Sequence, residues 1–117
     1  MIFFKYKEFE SPDAKGSGAM MDSVLLFKLE RARELAQTPF KINSGYRTPE
    51  WNKKVGGSAN SSHMKGIAVD IHCKSGALRV KIISGLIKAG FTRIGIAKTF
   101  IHADVSRHKV DSIWLYK

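Results

Sequence analysis

A single cysteine, Cys73, is all the thiol this 117-residue chain contains. That excludes an internal disulfide and a cysteine-built metal cluster, and leaves His, Asp and Glu as the only metal ligands available. Acids are scarce as well: ten Asp and Glu stand against twenty Lys and Arg, a formal charge of +10. Such an excess favours polyanionic partners, whether nucleic acid, anionic lipid or anionic wall polymers. The cations are scattered rather than gathered in a block, so a solvated basic surface accounts for them equally well. No apolar run approaches the ~18 residues that span a bilayer. Met1-Ile2-Phe3-Phe4-Lys5 meets a charge too early for a signal peptide, so the expectation is a protein cytoplasmic as synthesised, without membrane contact. Repeats, low-complexity tracts and dividing linkers are absent too. With 44% apolar residues, positions 1–117 are expected to form one domain around one core.

What is present is an irregular mixture of helix and strand signals. Asp22 or Ser23 can cap a helix whose Leu25, Leu29, Ala32 and Leu35 or Ala36 recur at helical spacing, with Pro39 to stop it. Thr48-Pro49 reads as the start of a short helix ended by Gly56-Gly57, and Ser75 opens another that runs through Leu78, Ile82 and Leu86 to Gly90. Strand signals fall at Phe40–Asn43, Ile67–His72, Thr92–Ala97, Phe100–Val105 and Ile113–Tyr116. Without a repeating βαβ rhythm, the expected fold is a small α+β domain. A mainly antiparallel sheet of about four to five strands is flanked by helices.

Two histidine-carboxylate pairs carry the chemistry. His63 and Asp70 lie seven residues apart, and His102-Ala103-Asp104 follows about thirty residues later. On the strand at Ile67–His72, Val69 and Ile71 share one face while Ala68, Asp70 and His72 share the other. His102 shares a face with Phe100 and Asp104. If these two strands are neighbours, His63, Asp70 and His102 converge on one divalent ion and leave a position open for water. Such a site activates water rather than merely bracing a fold. His102-x-Asp104 with another histidine also describes the facial triad of non-haem iron oxygenases. The two good helices and few strands speak against that fold.

The stretch Ser61-x-His63-x-x-Gly66-x-Ala68-x-Asp70, followed by His102-x-Asp104, resembles the zinc D-alanyl-D-alanine peptidases, the M15 family. Ile42-Asn43-Ser44-Gly45-Tyr46-Arg47-Thr48-Pro49 and Asn52-x-x-Val55-Gly56-Gly57 extend the likeness upstream, so that it runs from about Phe40 to Val105. The nearest branch is the compact one found in phages and bacteria, which includes endolysin endopeptidases. The resemblance implies a single M15-like domain with a zinc site on the sheet. It also implies one zinc ion held by His63, Asp70 and His102, with Arg47 beside the reacting carbonyl and Ser61 contacting substrate backbone. The implied activity is a metallopeptidase acting on peptidoglycan stem peptides or muropeptides, either as a D,D-carboxypeptidase or as an endopeptidase. The expected molecule is a monomer without a specific nucleic-acid partner, reaching the wall after lysis, export or virion delivery.

One departure stands out. Relatives carry an acid or histidine shortly before the last zinc histidine as general base, but here Ala97, Lys98, Thr99, Phe100 and Ile101 precede His102. A threonine hydroxyl cannot take a proton from water. Asp104 is one candidate, with orientation of a ligand imidazole as its other reading. His72 is a second, and a third is a zinc-acidified water helped by Asp70 alone. The alternative function is a zinc-stabilised, catalytically weak module that binds wall or polyanion.

Overall fold

A computed structural model describes residues 1–117. It has three α-helices, α1 (Ser23–Ala36), α2 (Pro49–Lys54) and α3 (Gly76–Lys88). The five strands are β1 (Ile42–Ser44), β2 (Ala68–His72), β3 (Arg93–Ile96), β4 (Phe100–Asp104) and β5 (Ser112–Leu115). They form one sheet in the order β1-β2-β4-β3-β5, an α+β arrangement as the sequence suggests. Neighbours are antiparallel except β3 and β5, which run parallel. No helix is long and apolar enough to cross a membrane.

Local chemistry fixes the helix ends. The Asp22 carboxylate accepts the Leu25 amide, Thr48 Oγ1 accepts that of Trp51, and Ser75 Oγ accepts that of Leu78. Each satisfies a donor left free in a first turn. The helix α1 ends at Gln37 in the left-handed region (φ 54°), two residues before Pro39.

Two-residue alternation divides the sheet between core and site. Val69, Ile71, Ile94, Ile101 and Ala103 are buried against Leu25, Leu29, Ala32, Ile82 and Leu86 of the helices, and Cys73 joins them as a small apolar group. Phe4, Phe9 and Phe40 close one end of this core. The amides of Ile2, Phe3 and Phe4 donate to Glu30 of α1, pinning the N-terminal segment there. The opposite face carries Asp70, His102 and Asp104, so chemistry and core sit back to back on the same strands.

Where α1 and α3 cross, Gly85 lets the backbones touch: a Cβ there would come 2.5 Å from the Ala32 carbonyl oxygen and 2.8 Å from Ala36 Cβ. Gly85→Ala is expected to force the helices apart at a cost of ~1–3 kcal/mol. A gain of up to ~1 kcal/mol in helix propensity offsets only part of this, because the clash is with backbone. Thermal unfolding followed by circular dichroism should show a lower midpoint; an unchanged or higher one would mean the crossing can relax.

Candidate metal centre

Register brings the predicted residues together. Asp70 of β2 lies directly opposite His102 of β4, although α3 and β3 separate them in sequence. The same rung continues in both directions: Ser44 pairs with Asp70, His102 with Gly95, and Gly95 with Trp114. One line of residues therefore crosses all five strands. His63 arrives from a 3-10 turn, Ser62–Lys65, just before β2. Ser61 Oγ accepts the His63 amide at the start of that turn, and Gly66 (φ 70°) reverses the chain into the strand. Only a residue tolerant of positive φ turns here, and a Cβ would also meet the Met20 carbonyl oxygen at 2.2 Å.

His63, Asp70 and His102 are all buried, and their ligand atoms lie within 4.8 Å of one another. Asp70 Oδ1 is 3.3 Å from His63 Nε2 and 3.0 Å from His102 Nδ1. These separations approach the roughly 3.3 Å edge of a tetrahedron built on bonds of about 2.0–2.1 Å. The outward nitrogens are committed: His63 Nδ1 lies 2.7 Å from the Gly45 carbonyl oxygen, and His102 Nε2 lies 2.7 Å from Asp104 Oδ2. A carbonyl oxygen only accepts, so His63 Nδ1 must carry the proton. An ionised Asp104 requires the same of His102 Nε2. In the neutral imidazoles, both inward nitrogens then turn lone pairs toward a carboxylate oxygen. Only a proton or a cation between them makes that arrangement favourable. Two imidazoles and a carboxylate, each imidazole anchored from behind, form the donor set that a divalent zinc ion takes.

Where a proton rather than a cation fills that place, the inward N–H groups donate to Asp70. Burial acts to raise the Asp70 pKa, yet hydrogen bonds from His102 and His63 outweigh it and hold the carboxyl well below the usual carboxylate range. Burial acts to lower that of His102, and its bonds to Asp104 and Asp70 overcome this and raise it. Asp104 is also held low: burial opposes ionisation, but His102, the Ser106 amide and Arg93 prevail. Tyr116, beside the site, is pushed up by burial and then by the negative charge of Asp70.

Arg47, three residues beyond the end of β1, spreads its guanidinium over three acceptors. Nε donates to Ser44 Oγ (3.0 Å), Nη1 to Asn52 Oδ1 (3.2 Å) and Nη2 to Asp70 Oδ2 (3.4 Å). Asn52 is itself held by donating to the Ser58 carbonyl. Gly57 leaves room for this contact, since a Cβ there would lie 2.0 Å from Asn52 Oδ1. The Asn52 and Gly57 positions of the upstream motif thus serve to aim Arg47. Asp104 sits behind His102, with Oδ1 accepting from Arg93 Nε (2.8 Å) and the Ser106 amide (3.0 Å).

A cavity of about 380 Å³ opens over the triad and is lined also by Arg47, Ser61 and Lys109. Its only carboxylates are Asp70 and Asp104. His72 and Thr99 do not line it. Instead, Thr99 turns the β3–β4 connection, where its carbonyl accepts the Cys73 amide. Arg93, Lys109, Trp114 and Tyr116 also reach the cavity. Sequence reading marks the last two only as part of a strand and singles out neither cation. Lys109 is one cation among twenty, and only the fold shows its Nζ donating to the Asn60 carbonyl and Ser62 Oγ.

A family model described as Peptidase M15 matches residues 3–104. Over 79 residues the chain is 31% identical to the zinc D-Ala-D-Ala carboxypeptidase of Streptomyces albus G. That similarity covers 60% of this chain and 31% of the relative, so the matched part spans about a third of the relative's length.

Proposed function

Because the chain belongs to the peptidase M15 family, we propose that it is a zinc-dependent peptidase acting on the stem peptides of bacterial peptidoglycan. His63, Asp70 and His102 hold the one zinc ion. The observation that carries this reading is the convergence of His63 Nε2 and His102 Nδ1 on Asp70 Oδ1, at 3.3 and 3.0 Å, with each ring anchored from behind. The similarity to the Streptomyces D-Ala-D-Ala carboxypeptidase supports the substrate class, and the +10 charge suits residence near anionic wall polymers.

Bound zinc supplies Lewis acidity, polarising a carbonyl and acidifying a water. The chain's own residues supply the rest. Arg47, fixed by Ser44, Asn52 and Asp70, presents its guanidinium toward the cavity where an oxyanion would develop. Ser61 caps the His63 turn and lines the cavity, within reach of a substrate backbone. Asp104 holds the His102 ring in one tautomer and orientation, and His102, the Ser106 amide and Arg93 together keep Asp104 ionised. Both Asp104 oxygens are engaged, by His102 on one side and by Arg93 and the Ser106 amide on the other, so its role is to position. The proton acceptor is then Asp70 or solvent, and turnover lacks the ~10²–10⁴-fold contribution of a positioned base. That missing acid is also what favours a second reading, a zinc-stabilised module that binds wall polymer with little hydrolysis.

Incubation of zinc-loaded protein with muropeptides, followed by mass spectrometry, tests the proposal. D-alanine release indicates a carboxypeptidase and a cut bridge or stem an endopeptidase. In either case chelation should stop the reaction and zinc should restore it. Intact muropeptides at every pH, with zinc bound, would leave the binding module.

Asp104→Asn separates positioning from base catalysis. Zinc affinity is expected to weaken ~10–100-fold, with much of the activity returning at saturating zinc. Full zinc retention with lost activity would make Asp104 the base.

A further inference from the structure

The rung through the site ends on Trp114, whose ring centroid lies 5.5 Å from that of His102. Tyr116 extends the surface, 6.2 Å from Trp114 and 5.2 Å from Phe100. Both rings occupy space that Gly95 vacates: a Cβ there would fall 2.7 Å from Trp114 Cε2 and 2.6 Å from Tyr116 Cε2. Arg93, tethered to Asp104, places its guanidinium carbon 4.7 Å from the Trp114 ring centre and fixes the ring's other neighbour. Yet the rings are not sealed into a core. Both line the cavity, and Tyr116 is 43% exposed. Trp114, in β5, and Tyr116, just past its end, lie beyond residues 3–104, outside the family match.

We propose that Trp114 and Tyr116 form a specificity wall that recognises the methyl side chain of an alanine residue next to the scissile bond. The inference rests on the peptidase reading above. The Trp114 ring lies 5.5 Å from His102 across the same cavity, so a small side chain beside a carbonyl placed over the triad faces this wall. An aromatic surface there rewards an aliphatic group and offers nothing to a bare glycine.

The test uses the zinc-loaded full chain and N-acylated peptides ending in D-Ala-D-Ala, with either alanine replaced by glycine. The parent is expected to prefer alanine at one position by about tenfold in kcat/KM. Trp114→Leu should reduce this to within about twofold while zinc content stays unchanged. Gly95→Ala should do the same with both rings present, because the new methyl displaces them. Tyr116→Phe, which keeps the ring, should keep the selectivity. Trp51→Phe leaves Trp114 as the sole tryptophan, so its emission reports peptide binding without any cavity substitution.

Cleavage with undiminished selectivity in Trp114→Leu and Gly95→Ala overturns the wall and leaves the peptidase reading intact. No cleavage, but a Trp114 response several-fold tighter for the alanine peptide than for glycine, overturns the peptidase reading and keeps the wall. Neither cleavage nor response overturns both.

Discussion

Asp70→Asn is expected to empty the metal centre and abolish hydrolysis. Asp70 is the one anionic donor of the triad and the point where both imidazoles meet. An amide of the same shape keeps the packing but loses the charge. If a four-ligand zinc site supplies ~10–16 kcal/mol, one ligand accounts for about 3–4, or two to three decades in Kd. Metal content after dialysis should fall from one zinc per chain to near zero, and zinc should no longer raise the unfolding temperature. His63→Ala and His102→Ala should behave alike, and the far-ultraviolet circular dichroism of all three should match the parent. Undiminished zinc in Asp70→Asn would place the ion elsewhere.

Arg47→Ala is expected to lower kcat by ~10²–10³-fold with zinc retained, the range seen when one preorganised oxyanion donor is lost. The three acceptors around the guanidinium give it one orientation, so the donor aimed into the cavity needs no rearrangement during reaction. Arg47→Lys should recover little, because an ammonium cannot satisfy Ser44, Asn52 and Asp70 in that planar pattern. Steady-state kinetics at saturating zinc are the measurement. A change confined to KM would mean that Arg47 binds substrate without favouring the transition state.

That Asp70 and His102 each share a polar strand face was legible because alternation decides which side of a strand is polar; His63, in a turn, was singled out by the motif around it. Ala68, Asp70 and His72 fall on one face of β2, and Phe100, His102 and Asp104 on one face of β4. Their adjacency was not legible, since β4 enters the sheet between β2 and β3 and only long-range packing selects that order. The end of the chain was harder still. Ile113, Trp114, Leu115 and Tyr116 are all apolar, so no alternation marks the cavity side, and nothing local announces the parallel pairing of β5 with β3. Arg93 shows the same limit: its role behind Asp104 appears only when β3 lies beside β4.

The rung from Ser44 to Trp114 makes the parity of every strand a condition of function. Deleting one residue before β4, with the same backbone pairing retained, would swing His102 into the helices and put Ala103 in its place opposite Asp70. The oily face and the wet face would exchange places together. A one-residue error of alignment in this small sheet therefore cannot yield a sound core with a faulty centre. A chain that buries its isoleucines correctly has already aimed its histidine.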